Sequence, residues 1–198
     1  MAFRRNRTSD KVGRRDVEAG TASRARGETE PPGKPGDREA EKVTAAALKL
    51  LAARPRTEMQ LRERLMQKPW ANRRLIDDCI RRLKEMGYVD DGRFAESYAS
   101  HRLSMRPIGR ARLARELALK KVDRTTINRA LDQAFGETGE DGLIDRAIQK
   151  RIRTHGSPAD RRDEKRMFDH LARLGFEFDL IMRKLDALRR QATMTNDP

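Results

Sequence analysis

The sequence is poor in the residues that build disulfide frameworks, thiolate metal sites and thick hydrophobic cores. Cys79 is its only cysteine, so neither a disulfide framework nor a thiolate metal site can form within one chain, and a reducing compartment is indicated. Aromatic residues make up 5% of the 198 residues, and no apolar run approaches the roughly 20 residues that cross a bilayer. No apolar segment follows the basic N-terminus. We therefore expect no secretory signal, no membrane partner and a cytoplasmic location.

Motifs for metal, nucleotide and nucleophile chemistry are also missing from the sequence. The three histidines, His101, His155 and His170, do not pair at helical spacing, and no HExxH motif or Cys–His cluster occurs. The sequence contains no GxxxxGK[ST] phosphate loop and no GxGxxG or GxSxG motif. These absences favour surface or half-buried histidines over metal ligands, and we expect no cofactor and no metal.

Positive charge is abundant. The chain holds 45 Lys and Arg against 31 Asp and Glu, which gives a formal net charge of +14. Such an excess favours a polyanionic partner, either nucleic acid or an acidic protein surface. Because 38% of the residues are charged and 36% are hydrophobic, we expect thin helical layers with large solvated faces.

The chain divides into two tails and a helical part. Residues 1–41 have no hydrophobic period and include the run PPGKPGD, so we predict a disordered basic and polar tail there. From Val43 onward apolar residues recur at helical spacing, and no stretch shows sustained strand alternation. The sequence therefore predicts an all-α protein, with a flexible C-terminal tail at 191–198.

Two pairs of apolar residues recur along the helical part with a period of about 50 residues. The first pair is Leu61 and Leu65, then Leu113 and Leu117, then Met167 and Leu171. The second pair is Ile76 and Ile80, then Ile127 and Leu131, then Ile181 and Leu185. We therefore predict three tandem three-helix repeats, at 43–89, 90–136 and 141–190. Each repeat is expected to bury its face partly on the next, so that they form a curved, elongated solenoid.

Two adjacent aspartates in the stretch GYVDDGRFAESY could form a catalytic pair, a metal site or a helix cap. With Asp90 as the N-cap, Val89 and Phe94 take the positions of a hydrophobic staple, and Asp91 faces the positive end of the helix dipole. A catalytic pair would need a further His, Lys or carboxylate, which the sequence does not place. We therefore interpret the stretch as a structural joint between the first two repeats, with a hydrolase as the alternative.

Basic residues gather on the predicted outer faces of the second and third repeats. In 159–174 they fall opposite the buried stripe at about 100° per residue. The third helix of the first repeat carries mixed charges instead, which is typical of a salt-bridged solvated face. We predict that a surface for acidic protein or DNA phosphate is formed by Arg110, Arg112, Arg115, Lys120, Lys121, Arg162, Lys165, Arg166 and Arg173.

Four segments resemble the hallmarks of the RecX regulatory proteins. In chain order they are TEMQLRERLMQK, which matches loosely, GYVDDGRFAESYASHR, RPIGRARLARELALKKV and HLARLGFEFDLI. The resemblance covers about 43–190, and the family's architecture is also three tandem three-helix repeats. One departure is Lys120-Lys121-Val122, where the family often has Lys-Gly-Ile/Val. We expect the left-handed end of that helix to be arranged differently here.

The resemblance implies a non-enzymatic modulator of the RecA recombinase. Family members bind along the groove of the RecA nucleoprotein filament and suppress ATP hydrolysis, strand exchange and filament growth. This chain would then be a monomer that modulates recombination and the SOS response to DNA damage. Its partners would be RecA with bound single-stranded DNA, and DNA by direct contact. The alternative is a stand-alone DNA-binding protein whose repeats act as helix-turn-helix units.

Overall fold

A computed structural model describes residues 35–195, apart from the side chains of residues 35, 137, 138 and 192–195, and every regular element in this range is an α-helix. The helices are α1 (Pro35–Ala53), α2 (Glu58–Met66), α3 (Arg73–Glu85), α4 (Asp91–Met105), α5 (Arg110–Leu119), α6 (Arg124–Thr138), α7 (Glu140–His155), α8 (Arg161–Leu174) and α9 (Phe178–Thr195). Across 35–195, none has both the length and the apolar content that crossing a membrane requires. The predicted all-α class is confirmed.

Three consecutive repeats, α1–α3, α4–α6 and α7–α9, account for the helices within 35–195. The recurring apolar pairs lie on the second and third helix of each repeat, and none of these side chains is more than 7% exposed. Burial of each such side chain stabilises the fold by about 1.5–3 kcal/mol. The prediction of three tandem three-helix repeats is therefore confirmed.

The first and last helices extend beyond the predicted repeats. Helix α1 begins at Pro35, although the sequence predicts a disordered tail through residue 41. Proline suits a first helical position, and Asp37 in the first turn complements the helix dipole, so capping signals begin this helix before its hydrophobic period does. Helix α9 likewise continues to Thr195, into the tail predicted at 191–198. The remainder of the two predicted tails, 1–34 and 196–198, lies outside the described residues.

The buried side chains of the described chain form two hydrophobic cores. The first core contains residues of repeat one only, from Val43 to Val89. The second core contains residues of repeats two and three together, from Ala95 to Leu185. The expectation that each repeat shares buried surface with the next thus holds for repeats two and three, whereas repeat one packs mainly on itself.

Two glycines bring α5 and α8 into backbone contact where repeats two and three meet. The Gly109 N–H donates to the Leu174 carbonyl at 2.9 Å, and the Ala111 N–H donates to the Gly175 carbonyl at 3.2 Å. A Cβ on Gly109 would lie 2.2 Å from the Gly175 carbonyl oxygen, which is closer than any real Cβ contact. Gly109 in RPIGR and Gly175 in RLGF therefore both permit the backbone contact between α5 and the end of α8.

Lys121 adopts a left-handed conformation, with φ of 67°. The Lys121 N–H donates to the Ala118 carbonyl at 2.9 Å, and the Val122 N–H donates to the Leu117 carbonyl at 3.3 Å. These are the two hydrogen bonds of a Schellman helix end. The expectation of a different arrangement is therefore wrong: lysine takes the conformation that glycine would take, at a cost of about 1 kcal/mol.

Replacing Gly109 by alanine should lower the free energy of unfolding by about 1–3 kcal/mol, because the new Cβ must displace the end of α8. The matched control is Gly136→Ala, since Gly136 lies within α6 and its Cβ would meet open space. That control should raise stability by roughly 0.5–1 kcal/mol. Urea unfolding followed by circular dichroism measures both, and equal effects would contradict the close approach at Gly109.

Candidate interface and the joints that position it

A hydrogen bond from a backbone N–H at one helix start to a carboxylate at another helix start joins each neighbouring pair of repeats. At the first joint, Asp91 on the first turn of α4 accepts a 2.8 Å hydrogen bond from the Glu58 N–H at the start of α2. At the second joint, Glu140 on the first turn of α7 accepts a 3.0 Å bond from the Arg110 N–H at the start of α5. Each carboxylate thus satisfies a free backbone donor at the helix start of the preceding repeat.

The end of another helix completes each joint. At the first joint, the Thr57 hydroxyl at the start of α2 donates to the Lys120 carbonyl at the end of α5, at 2.8 Å. At the second joint, the Gly109 N–H at the start of α5 donates to the Leu174 carbonyl at the end of α8. Free carbonyls at one helix end therefore meet free donors at the next helix start. The second helices of the three repeats follow one another end to end.

Burial raises the pKa of both carboxylates at the joints. For Asp91 the loss of contact with water is the largest effect on the pKa, and the bond from the Glu58 N–H opposes it. For Glu140 burial is again the largest cause of the raised pKa, and the bond from the Arg110 N–H opposes it. The same perturbation at two equivalent positions is explained by the repeat architecture and requires no catalytic pair.

The two adjacent aspartates have separate structural contacts. Asp90 is the N-cap of α4, and its carboxylate accepts from the Arg93 N–H at 2.9 Å. Asp91 instead reaches helix α2 of the preceding repeat. Val89 lies in the first core and Phe94 packs against the second core, so this segment is anchored in both cores. Within 35–195 no group of three or more potential metal ligands occurs.

Replacing Asp91 by alanine should lower the free energy of unfolding by about 1–3 kcal/mol, because the Glu58 N–H loses its acceptor. Asp91→Asn keeps an acceptor oxygen and should therefore cost less. Asp90→Ala should cost about 1 kcal/mol, as for other lost N-caps. Urea unfolding compares the three variants, and an asparagine as damaging as the alanine would contradict the joint described for Asp91.

A carboxylate on α5 neutralises part of the positive charge of repeat two. Glu116 accepts two hydrogen bonds from Arg102, at 2.6 and 2.7 Å, and one from the Tyr98 hydroxyl at 3.0 Å. Arg112 donates to the same carboxylate at 3.3 Å and also to the Arg173 carbonyl at 3.3 Å. These donors, Arg102 foremost, lower the pKa of Glu116 to about 2. Arg112 therefore serves the fold and the second joint.

Replacing Glu116 by glutamine should lower stability at pH 7 by on the order of 2 kcal/mol, because Arg102 loses its charged partner. The pKa of Glu116 is depressed in the folded state, so its ionisation stabilises the fold fully above about pH 4.5. That contribution is lost as the pH falls toward 2. Urea unfolding of both proteins at pH 7 and pH 3 measures the difference, which should shrink at pH 3. An unchanged difference would contradict the role of the charge.

The nine cations predicted to contact a partner divide into engaged and free groups. The engaged members besides Arg112 are Arg110 with Asp132, Lys120 over the Tyr98 ring, Lys121 with Glu63 and Arg166 with Asp163. Four further members are exposed and form no ion pair within the described part of the chain: Arg115, Arg162, Lys165 and Arg173. The free group lies on α5 and α8, so these two helices present the unneutralised charge.

A groove at the first joint brings the predicted Lys120 together with arginines and aromatic rings that the sequence patterns do not single out. Its volume is about 480 Å³, and its lining includes Arg54, Arg56, Tyr88, Arg93 and Lys120. These residues come from the α1–α2 loop, the α3–α4 loop, α4 and the end of α5, and only the fold brings them together. The sequence contains one indication of this groove: Tyr88 directly follows Gly87, the glycine that ends α3.

A second basic region also escapes the sequence patterns. Arg146, Lys150 and Arg153 on α7 line a cavity of about 490 Å³ beside Pro107. The three residues are spaced at i, i+4 and i+7 and therefore share one face of α7. The charged surface of repeat three thus includes its first helix as well as α8.

Comparisons with known proteins agree with this architecture. The family model described as RecX, second three-helix domain, matches residues 90–131. Regulatory protein RecX of Streptomyces coelicolor is 32% identical over 167 residues, which cover 84% of this chain and 86% of that protein. Regulatory protein RecX of Halorhodospira halophila is 34% identical over 146 residues, which cover 71% and 84% respectively.

Solved structures show the same fold. The crystal structure of RecX from Lactobacillus salivarius matches with a TM-score of 0.69 at 20% identity, covering 76% of this chain and 99% of that chain. A further crystal structure of regulatory protein RecX matches with a TM-score of 0.66, covering 75% of this chain and 73% of that chain. Sequence similarity and helical repeats together lead to one conclusion: the chain belongs to the RecX family of regulatory proteins.

Proposed function

We propose that this chain binds the RecA nucleoprotein filament and inhibits its ATPase activity, strand exchange and filament growth. It thereby modulates homologous recombination and the SOS response, and it acts by binding and not by catalysis. The observation that carries this proposal is the similarity to regulatory proteins of the RecX family over 84% of the chain. That similarity extends over all three repeats and is not confined to one short motif.

The joints between the repeats support contact at several points. Asp91 and Glu140 each tie one repeat to a backbone group of the preceding repeat. Exposed side chains on different repeats are therefore held at set spacings before any partner binds. Preorganisation of this kind lowers the entropy cost of binding, and contacts spread over several repeats add as avidity when their spacing fits the partner.

We assign the main charged contacts to the four free cations Arg115, Arg162, Lys165 and Arg173. An engaged cation such as Arg110 must share its charge with Asp132, whereas a free cation offers its whole charge to a new partner. On α8, Arg162, Lys165 and Arg173 lie on the side opposite the buried Met167 and Leu171. Exposed charges of this kind steer association with an oppositely charged surface and add to its affinity.

Titrating this protein into a RecA ATPase assay and a strand-exchange assay should suppress both activities at near-stoichiometric levels. The triple variant Arg115→Gln, Arg162→Gln and Lys165→Gln should require about tenfold more protein, because three partner charges are removed from an exposed interface. The matched control is Arg73→Gln, Arg74→Gln and Arg82→Gln, which removes the same charge from exposed positions of α3. The control should inhibit like the wild type.

Two outcomes would overturn this proposal. One is the absence of inhibition at stoichiometric levels of the wild-type protein. The other is strong binding to bare duplex DNA without added affinity for RecA-coated DNA across a salt series. That second result would support the stand-alone DNA-binding alternative, because binding through phosphate contacts alone falls steeply with salt and needs no recombinase.

A further inference from the structure

The backbone of Tyr88 is fixed by hydrogen bonds, and the residue is nevertheless 60% exposed. It follows Gly87, whose φ is +74°, at the end of α3. The Gly87 N–H donates to the Lys84 carbonyl at 2.9 Å, and the Tyr88 N–H donates to the Leu83 carbonyl at 2.8 Å. In such a Schellman end, the second residue after the helix commonly packs back against it. Here Val89 is the buried residue, so the Tyr88 ring is presented to solvent on a fixed backbone.

The other helix ends of this type bury the equivalent side chain. After the left-handed Lys121, Val122 is 6% exposed, and after the left-handed Gly175, Phe176 is 5% exposed. Exposure of Tyr88 is therefore not a consequence of the helix-end geometry. An aromatic ring that is both exposed and backbone-fixed offers a flat apolar face at little conformational cost.

The surroundings of Tyr88 are cationic. The ring lines the groove of about 480 Å³ at the first joint, together with Arg54, Arg56, Arg93 and Lys120. Among the described residues that line this groove, Asp90 supplies the one carboxylate; it accepts from the Arg93 N–H at 2.9 Å and lies 4.0 Å from the Arg93 guanidinium, so it offsets one of the four cations in part. Four cations around an exposed ring match a ligand that alternates anionic groups with flat aromatic ones.

Two of these cations are held by contacts of their own. Arg56 donates through Nε to the Leu50 carbonyl at 3.1 Å, which holds its guanidinium at the end of α1. The Lys120 ammonium lies 4.7 Å from the centre of the Tyr98 ring. Burial, with the neighbouring charge of Arg54, lowers the pKa of Arg56. The groove therefore holds positive charge that an anion would stabilise.

We propose that this groove binds a short segment of single-stranded nucleic acid, with one unstacked base on Tyr88 and the adjoining phosphates at Arg54, Arg56 and Arg93. A single strand offers free base faces, and stacking on an aromatic ring tolerates any base. A duplex keeps its bases stacked and offers only phosphates. All residues that line the groove come from this chain. Binding of a single strand there is therefore a function additional to the contact with RecA and does not depend on that contact.

The test measures binding of the full chain to a fluorescent oligothymidylate of about 12 nucleotides by anisotropy, without any recombinase. Tyr88→Ala should weaken binding by about tenfold, whereas Tyr88→Phe, which keeps the ring, should stay within about twofold of the wild type. The matched control is Phe178→Ala, since Phe178 is 64% exposed and lies in repeat three. It should bind like the wild type.

The salt dependence of binding tests the contribution of the charged side chains separately. Arg93→Gln should reduce the slope of log affinity against log salt by about 0.7, the effect of one lost phosphate contact on a single strand. Arg74→Gln removes one charge from an exposed position of α3 and should leave the slope unchanged. On a duplex of the same length, Tyr88→Ala should bind like the wild type, because no free base is present to stack.

Four results would overturn the proposal. They are an unchanged oligothymidylate affinity for Tyr88→Ala, an equal loss on single strand and duplex, and a photocrosslink from a 5-bromouracil oligonucleotide that misses Tyr88. The fourth concerns a Glu–Tyr copolymer. If Tyr88→Ala weakens binding of the copolymer but not of the oligonucleotide, the groove is a site for an acidic peptide. Because the assay contains no RecA, failure here would leave the proposed inhibition of RecA standing. Failure of the RecA assays would likewise leave the single-strand site standing.

Discussion

The arrangement of the repeats depends on a carboxylate that accepts a hydrogen bond from the backbone at the start of a helix in the preceding repeat. The contact occurs at both joints, through Asp91 and through Glu140. In a chain with 36% hydrophobic residues, apolar burial alone would leave the angle between two helical layers loosely defined. A directional bond to a fixed backbone donor removes that freedom. The exposed side chains of different repeats derive their relative positions from these two bonds together with the helix-end contacts that complete each joint.

Positive charge serves two purposes in this molecule. Arg102 and Arg112 converge on Glu116, and Arg110 pairs with Asp132, so these cations hold helices together. Arg115 on the same helix α5 is left to solvent. The total of 45 Lys and Arg therefore overstates the cations available to a partner, because cations of both kinds enter that count equally.

Local patterns in the sequence predict most of the fold. The apolar pairs exemplified by Leu61 and Leu65, and the N-cap at Asp90, depend on residues within one or two helical turns, and helical spacing reveals them. The partners of the joints are different. The Glu58 N–H lies 33 residues from Asp91 along the chain, and no periodicity links them. The groove around Tyr88 escaped prediction for the same reason, since several segments build it.

The division into two cores has a consequence for cooperativity. Repeat one has its own core and meets repeat two mainly through hydrogen bonds and an ion pair, including those of Thr57 and Lys121. In repeat proteins, the coupling between neighbouring units decides whether they unfold together or in turn. We therefore expect helices α1–α3 to unfold as one cooperative block and α4–α9 as another. A ligand that bridges Arg54 of the first block and Arg93 of the second would strengthen that coupling, and we expect binding in the groove to bring the two unfolding transitions together.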